Sequence, residues 1–460
     1  MLVPTPIDLI SCRLPTPPSD TSDPPLTPLY DSLTTNLPHP VMAYTSFSFP
    51  ASTHIFPRAS IVLEYLNDYA GHFHLTPHIR LNTTVKAVHR DPPNSRWKVT
   101  LSTNSNSDET LPFDLVLVCN GHYRIPRYPE VPGLAKWLQA GKATHSAYYR
   151  RPHNLGKVVL VIGGGPSGLD ISEEMCSFAD TVIHSATGAS HGDIGNLKRR
   201  GCAVQFHEIE GDGKGQVTFE DGTTEYGIDH CILATGYEFS FPFFSDDAMR
   251  SVSPPPAPPL PQDLYNTKSS IFPLTKHIFP LLCPSTATNT TDVPPWSMAF
   301  MGRILARVAP FPLLEAQAHA ILHYFAHPES LDPTQEAMGV MARYEALHLK
   351  LASDDPLTIT KAWHKFEPLE QFAYRDALHE FASSSWIGKG CVKVSEWEKE
   401  MYLNRELLRK VWVELERREE AGDWVRGVGE GDREGEEGKR EWVGVMMRML
   451  GWAKEVGKKL

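Results

Sequence analysis

A glycine-rich turn between an apolar run and a helical segment constrains this 460-residue chain more than any other feature. Residues Lys157–Ile162 are mostly apolar and lead directly into Gly163-Gly-Gly-Pro-Ser-Gly168. The turn fits the GxGxxG pattern, and its surroundings predict a strand at Lys157–Ile162, a helix through Asp170–Phe178 and a second strand at Thr181–Ser185. We therefore expect a βαβ unit over residues 157–187 that holds a dinucleotide.

Each residue of the turn has its own expected role. Gly163 permits the tight turn, Gly165 lets the backbone approach a pyrophosphate, and Gly168 allows the helix to pack closely on the strand. Pro166 and Ser167 stand at the start of the helix, where exposed N–H groups meet phosphate.

The end of the second strand distinguishes between nucleotides. An NAD site places Asp or Glu there for the ribose 2′-hydroxyl, whereas this chain has Ser185-Ala-Thr187. The missing acid favours a 2′-phosphate and hence NADP, with Ser185 as the candidate hydroxyl donor. The basic run Lys198-Arg199-Arg200 is the candidate source of positive charge.

Two stretches of the chain share a pattern of short strands, an Asp, an apolar strand and a glycine turn that ends in Tyr. The first occupies residues 98–123 and ends in Cys119-Asn-Gly-His-Tyr123, and the second occupies residues 217–237 and ends in Ala234-Thr-Gly-Tyr237. We interpret them as two copies of one dinucleotide-binding design. This interpretation makes Gly121, His122, Thr235 and Gly236 candidate cofactor-binding residues.

The first copy has no glycine loop of its own. Gly71 is the only glycine before Gly121, so no phosphate-binding loop precedes the apolar strand Leu115–Cys119. We expect either that the first copy is truncated at its N-terminus or that it has lost its cofactor site. Loss of an opening βαβ unit would also uncover apolar sheet surface.

Composition excludes several classes of function. The net charge of −11 argues against a nucleic-acid partner. Seven cysteines without a CxxC pair exclude thiol–disulfide exchange, and no metal site is predicted. No signal peptide and no run of about 18 apolar residues is found, so a cytoplasmic location is predicted. For Trp442–Leu460 a plain amphipathic helix is favoured over a membrane-surface helix.

With both copies recognised, the chain resembles the flavin-containing monooxygenase family. The resemblance rests on the glycine loop, on the two glycine turns, and on three segments near the N-terminus: Tyr30-Asp-Ser-Leu-Thr-Thr-Asn36, Met42-Ala-Tyr44 and Phe47-Ser-Phe-Pro50. It continues near residues 300–317.

The family's identifying pattern, FxGxxxHxxx(F/Y), is kept only in part. Gly141, His145 and Tyr149 match it, but Gln139 stands where the family has Phe. The aromatic residue at the last position is Tyr and not Trp, which disfavours the related Baeyer–Villiger group.

The resemblance implies the cofactors FAD and NADPH, a C4a-hydroperoxyflavin, and oxygenation by O₂ of soft amine or sulfide nucleophiles. It implies that Asn36 is the residue nearest the chemistry. Since an amide donates and accepts hydrogen bonds without charge, Asn36 is expected to support the flavin hydroperoxide and to position NADP⁺. It also implies that Gly121 and His122 close over the FAD pyrophosphate. His145 is expected near a cofactor, and Gln317 where the chain returns to the flavin.

The predicted architecture is an α/β fold with two Rossmann-like dinucleotide-binding domains and a helical C-terminal region. Residues 1–152 are assigned to the first part of the FAD domain, 153–250 to the NADP domain, and 251–460 to the return to the FAD domain plus the helices. Two alternatives stay open: a non-catalytic NADP-binding remnant, and an N-hydroxylating monooxygenase of a specific small amine. A pyridine nucleotide–disulfide reductase would need the CxxC pair that is missing.

Overall fold

The structure is a computed structural model that describes residues 9–12, 27–51, 53–103, 107–189, 191–209, 211, 213–281, 295–305, 308–383, 393–430 and 436–456. Contacts divide the chain into two compact units. The NADP unit, named for its predicted ligand, contains residues 27–33 and His122–Phe239. The larger unit contains residues 9–12, Thr34–Gly121 and the described residues from Ser240 onward.

The strands of the larger unit are β1 (Leu9–Cys12), β2 (Ile79–Asp91), β3 (Arg96–Thr103), β4 (Asp108–Phe113), β5 (Val116–Val118), β17 (Tyr265–Asn266), β18 (Ile271–Phe272), β19 (Leu274–Thr275), β20 (Phe279–Pro280) and β21 (Met298–Phe300). Those of the NADP unit are β6 (Ile125–Pro126), β7 (Ala143–His145), β8 (Val158–Ile162), β9 (Thr181–Ser185), β10 (Gly192–Ile194), β11 (Leu197–Arg200), β12 (Ala203–Phe206), β13 (Gly215–Phe219), β14 (Thr224–Ile228), β15 (His230–Leu233) and β16 (Tyr237–Glu238).

The helices are α1 (His39–Met42), α2 (Ala59–His72), α3 (Leu134–Gln139), α4 (Pro166–Met175), α5 (Pro310–Ala326), α6 (Pro333–Leu351), α7 (Pro356–Lys361), α8 (Glu370–Ala382), α9 (Glu396–Leu403), α10 (Arg405–Arg417), α11 (Ala421–Val425) and α12 (Glu436–Val456). Only α3 and α4 belong to the NADP unit. The eight helices from α5 onward form the helical C-terminal region that the sequence predicts.

The NADP unit is built on a six-stranded sheet in the order β10-β11-β9-β8-β15-β7, in which only β10 runs antiparallel to its neighbour. Its central strands are rich in Val and Ile, which suits a sheet buried on both faces. Helix α4 packs on one face through Ile171 and Met175. The other face is covered by Trp137 of α3 and by the antiparallel strands β12, β13 and β14.

The predicted boundaries at residues 152 and 250 differ from those of the two units. Residues 122–152 belong to the NADP unit because β7 pairs with β15 at the edge of the six-stranded sheet. Residues 240–250 belong to the larger unit, where the backbone N–H of Val88 donates to the carbonyl of Phe243 over 2.7 Å.

The larger unit contains a four-stranded sheet in the order β1-β2-β3-β4 and the parallel pair β21-β5. Its largest core cluster lies among α1, α2, α9, α10 and α12. The apolar face of α12, including Trp442, Met446 and Met449, is buried there with Leu408 and Trp412 of α10. This buried face agrees with the plain amphipathic helix predicted from Trp442 onward; residues 457–460 of that prediction lie outside the described residues.

Candidate dinucleotide-binding site

The glycine loop lies between β8 and α4, as the sequence predicts, and its glycines are required by close contacts. Gly163 has a φ of 136°, and a Cβ there would lie 2.1 Å from the carbonyl oxygen of Ala234. A Cβ at Gly168 would lie 1.9 Å from the carbonyl oxygen of Gly163. Gly165 differs, since a Cβ at this position would have no atom within 4 Å. Two glycines therefore close the turn, and the third faces open space.

The start of α4 offers backbone donors beside that open space. Gly165 is the N-cap residue, no side chain caps the helix, and Pro166 follows it. The N–H groups of the first turn of a helix have no partner within the helix, and here Ser167 and Gly168 contribute them. Because the positive end of the helix dipole points to the same place, this arrangement can hold a phosphate group. The residues present therefore fit a dinucleotide pyrophosphate.

Strand β9 holds the loop in place through two hydrogen bonds. The N–H of Gly163 donates to the carbonyl of Ser185 over 2.8 Å. Nε2 of His184 lies 2.9 Å from the carbonyl oxygen of Gly163, so His184 donates to the loop. His184 was not among the residues predicted for the site. A histidine inside an apolar strand needs a hydrogen-bond partner when it is buried, and that need was the available signal.

The end of β9 differs from the expectation for Ser185. Its side chain is buried, and its hydroxyl donates to the carbonyl of Gly201 over 2.7 Å. The expected hydroxyl donor to a 2′-phosphate is therefore already committed to the backbone.

The basic run beside β9 lies on β11, which pairs with it in parallel. Lys198 and Arg200 both form ion pairs with Glu225. Arg200 also pairs with Asp193 over 2.7 Å. Arg199 is exposed and forms no ion pair with a described residue. Of the three cations, Arg199 is thus the one whose charge remains open to a ligand.

The glycine turn after β15 is held by hydrogen bonds of three side chains. Nε2 of His145 donates to the carbonyl of Gly236 over 3.0 Å, while Nδ1 accepts from the N–H of Ala147. Burial lowers the pKa of His145 to about 4, so the ring is neutral at physiological pH. Arg127 donates to the carbonyl of Thr235, whose hydroxyl donates back to the carbonyl of Arg127. These contacts give His145 and Thr235 a role in fixing the turn.

Three of the residues predicted for the flavin side lie in the larger unit, and two of them are accessible to a ligand. Asn36 is exposed and follows Thr35, whose hydroxyl donates to the carbonyl of Leu37. Gly121 has a φ of 68° and open space around its Cα, and Nη1 of Arg303 donates to its carbonyl over 3.2 Å.

The side chains of Gln317 and His122 both make contacts within the protein. The side chain of Gln317 is fully buried, with Oε1 accepting from the N–H of Gly302 and Nε2 donating to the hydroxyl of Tyr374. Its amide is therefore used inside the core. His122 belongs to the NADP unit and packs against Phe239, with a ring-centroid distance of 5.3 Å.

The residues that the structure describes do not supply a phosphate cradle for FAD. Within the described residues, β5 has one neighbouring strand, β21, and no glycine loop opens a helix beside it. The sequence contains no glycine before Gly71. The described residues thus fit NADP(H) at the 163–168 loop, but they do not form the pyrophosphate part of an FAD site.

The fold and the loop together define a two-unit dinucleotide-binding protein of the Rossmann type. A family model described as flavin-binding monooxygenase-like matches residues 19–205 and 194–255. The chain belongs to this family of flavin-dependent monooxygenases, which confirms the resemblance inferred from the sequence. FAD and NADPH are the cofactors of the family, as predicted.

Relatives and a solved structure agree with the family. Flavin-containing monooxygenase FMO GS-OX-like 1 of Arabidopsis thaliana is 31% identical over 396 residues, covering 81% of this chain and 76% of the relative. FMO GS-OX-like 4 of the same plant is 30% identical over 397 residues, with the same coverage. S-allyl-L-cysteine S-oxygenase from Allium sativum has a similar structure, with 26% identity, a TM-score of 0.67, and coverage of 97% of this chain and 88% of its own.

These likenesses confirm the predicted α/β class with its Rossmann-type units. Among the described helices, none is long and apolar enough to cross a membrane. The cytoplasmic location stays a prediction.

Proposed function

We propose that this chain binds NADPH at the 163–168 loop and acts as an FAD- and NADPH-dependent monooxygenase on soft nucleophiles such as sulfides and amines. The observation that carries the proposal is the loop itself, in which Gly163 and Gly168 close the turn while Gly165 faces open space. The sulfide class is supported by the likeness to an enzyme that is named as an S-oxygenase.

The protein's own part in such a reaction is to hold and orient the nucleotide. The N–H groups at the start of α4 would bind the pyrophosphate, and His184 and His145 would keep the two neighbouring turns in place. Arg199 would meet a 2′-phosphate. A bound FAD would supply the activation of oxygen.

We further propose that Asn36 acts nearest the reacting atoms. Its amide is exposed, carries no charge, and can donate and accept at once. Asn36→Ala should therefore abolish product formation while the affinity for NADPH stays unchanged. Equal product formation by Asn36→Ala and the unmodified chain would remove Asn36 from the mechanism.

The test is product formation by the purified chain with NADPH, FAD, and either thioanisole or N,N-dimethylaniline. Sulfoxide or N-oxide, measured by chromatography, should appear in step with NADPH consumption, and reactions without FAD serve as the control. Turnover of one primary amine alone, with no sulfoxide, would favour the N-hydroxylating alternative.

A second candidate function is a non-catalytic NADP-binding protein. It is supported by the described surroundings of β5, which offer one neighbouring strand and no glycine loop that opens a helix. The visible absorbance spectrum separates the candidates when it is taken after incubation with excess FAD and removal of the unbound flavin by gel filtration. NADPH binding without a flavin band or product would establish the second candidate, whereas absence of NADPH binding would contradict both.

A further inference from the structure

Tyr128 is an exposed aromatic residue of the NADP unit to which the proposed function gives no role. Its side chain is 41% exposed. An aromatic ring carries a large apolar surface, so an exposed ring beside a ligand-binding edge offers a contact for a planar ligand. Whether Tyr128 can contact the nucleotide depends on where its ring lies relative to the six-stranded sheet.

The backbone of Tyr128 lies beside the glycine turn that follows β15. Strand β6 pairs antiparallel with β16, which comes directly after this turn. The N–H of Arg127, the residue after β6, donates to the carbonyl of Gly236 over 2.9 Å. The next residue, Tyr128, is therefore at the carboxyl end of β15.

The ring of Tyr128 is held at this end by His145. The two ring centroids are 5.6 Å apart, and the rings are inclined by 65°. His145 is the last residue of β7 and pairs in parallel register with Leu233 of β15, and its Nε2 donates to the carbonyl of Gly236. The exposed ring of Tyr128 thus has a fixed neighbour at the carboxyl ends of β15 and β7.

These strand ends are where one half of a dinucleotide is expected. From β8 the chain continues to β9 and β11 on one side of the sheet, whereas β15 and β7 lie on the other side, so the strand order reverses between β8 and β15. A dinucleotide binds across such a reversal, outside the carboxyl ends of the strands. When its pyrophosphate lies at the 163–168 loop and its 2′-phosphate meets Arg199 of β11, its nicotinamide half extends over β15 towards β7.

Distance and space both allow a contact between Tyr128 and that half. Neighbouring strands lie about 4.8 Å apart, so β7 is about 10 Å from β8, which is comparable with the length of a nicotinamide riboside. A Cβ at Gly236 would have its nearest neighbour, Nη2 of Arg127, at 3.6 Å. The backbone of the turn therefore leaves room for a ligand.

We propose that Tyr128 binds the nicotinamide half of the nucleotide, with its exposed ring packed against the nicotinamide ring. This inference rests on the proposed binding of NADPH at the 163–168 loop. Stacking on an aromatic side chain contributes affinity without requiring a charge. Tyr128 and Arg199 thus recognise opposite ends of the same nucleotide, and their contributions can be measured separately.

The test compares NADPH with adenosine 2′,5′-bisphosphate, which keeps the adenosine half and its 2′-phosphate but has no nicotinamide. Both ligands are titrated calorimetrically into the full chain. Tyr128→Ala should weaken binding of NADPH about tenfold, the loss expected of one stacking contact, and leave binding of the bisphosphate unchanged. Tyr128→Phe keeps the ring, so its affinity for NADPH should stay within about twofold of that of the unmodified chain.

Tyr226→Ala is the matched control, because Tyr226 lies on β14 of the same unit and is 66% exposed. It should change the affinity for neither ligand. An equal loss for both ligands in Tyr128→Ala, or no loss for NADPH, would overturn the assignment of Tyr128 and leave the proposed NADPH site intact. Binding of neither ligand by the unmodified chain would contradict the proposed function, and this inference with it.

A measurement by NMR locates the contact directly. Transferred nuclear Overhauser effects should connect the nicotinamide protons of NADP⁺ with tyrosine ring protons of the unmodified chain. Their absence would overturn the proposal. Their persistence at full strength with tyrosine ring protons in Tyr128→Phe would assign the contact to another tyrosine, which would overturn it as well.

Discussion

Strands β5 and β15 have nearly the same sequence pattern and very different surroundings. Each is an apolar run that follows an Asp and ends in a glycine turn with a Tyr after it. Strand β15 lies between β8 and β7, and Cys231, Ile232 and Leu233 are all buried. Strand β5 has one described neighbour, and Leu115 and Leu117 beside and within it are 40% and 41% exposed.

The difference between β5 and β15 shows that a continuous apolar run in the sequence is not enough to predict whether the strand is buried. The run Leu115–Cys119 is as continuously apolar as β15, yet two of its residues, Leu115 and Leu117, are exposed among the described residues. Strand β15 is covered because the β8–α4 unit supplies both a neighbouring strand and a helix across the face. Burial of a strand is thus a property of the unit that packs on it.

Replacing an apolar residue by Ser should change the free energy of unfolding very differently in the two strands. Ile232 is 1% exposed and packs with Ile171 and Met175 of α4, so Ile232→Ser should lower the free energy of unfolding by about 4 kcal/mol. Leu117→Ser should change it by less than about 0.5 kcal/mol, because the side chain is already in contact with water. Urea unfolding followed by circular dichroism measures both values.

Light scattering gives the accompanying control. Leu117→Ser should reduce any self-association, since it removes exposed apolar surface. A loss of stability in Leu117→Ser as large as that in Ile232→Ser would break the comparison, because it would mean that β5 is covered in solution.

Substitutions at Gly168 and Gly165 distinguish packing within the β8–α4 unit, which covers β15, from nucleotide binding by the same unit. Gly168→Ala should lower the free energy of unfolding of the NADP unit by about 3 kcal/mol, because its Cβ would meet the carbonyl oxygen of Gly163. Gly165→Ala is the matched control: its thermal unfolding should be unchanged, while its affinity for NADPH falls by about tenfold or more. Equal stability of the two variants would contradict the packing described for the loop.

The two glycine turns should differ in their response to acid. The carbonyl of Gly236 accepts from His145, and that of Gly121 accepts from Arg303. The pKa of His145 is about 4 in the folded chain against an ordinary value of 6.5, so the unfolded chain binds the extra proton as the pH falls below 6.5. This difference should destabilise the fold by about 2 kcal/mol at pH 5 relative to pH 7. The pKa of Arg303 is lowered by burial to about 10, so it stays charged throughout.

Unfolding at the two pH values, with and without His145→Gln, isolates this effect. The variant should lose less stability between pH 7 and pH 5 than the unmodified chain, by about the same 2 kcal/mol. Other buried histidines, such as His39, contribute equally to both proteins and cancel in the difference. Parallel pH profiles would show that His145 does not titrate as its burial implies.

The sequence predicted what depends on local pattern. The strand Thr181–Ser185 was placed at its observed bounds, and the glycine loop lies between a strand and a helix as expected. What depends on the partner of a side chain was not predictable. Nothing local indicates that the hydroxyl of Ser185 is committed to Gly201, or that the amide of Gln317 is used between Gly302 and Tyr374.

The same limit applies to the residues that hold the turns. His145 was found through a family pattern, and its hydrogen bond to Gly236 came only with the fold. Arg303 has the corresponding role at Gly121 and comes from a segment 182 residues further along the chain. This hydrogen bond depends on the path by which the chain returns to β5, and the residues around Gly121 carry no information about that path.

The smallest expected effect concerns Arg199, the exposed arginine of β11 in the NADP unit. Arg199→Ala should weaken binding of NADPH about fivefold and leave binding of NADH unchanged, because NADH lacks the 2′-phosphate. Arg151→Ala is the matched control, since Arg151 is an exposed arginine of the same unit whose partner is Asp31. Calorimetric titration of both nucleotides gives the two ratios. An equal loss for NADPH and NADH would show that Arg199 acts through general charge, and the 2′-phosphate would then need another partner.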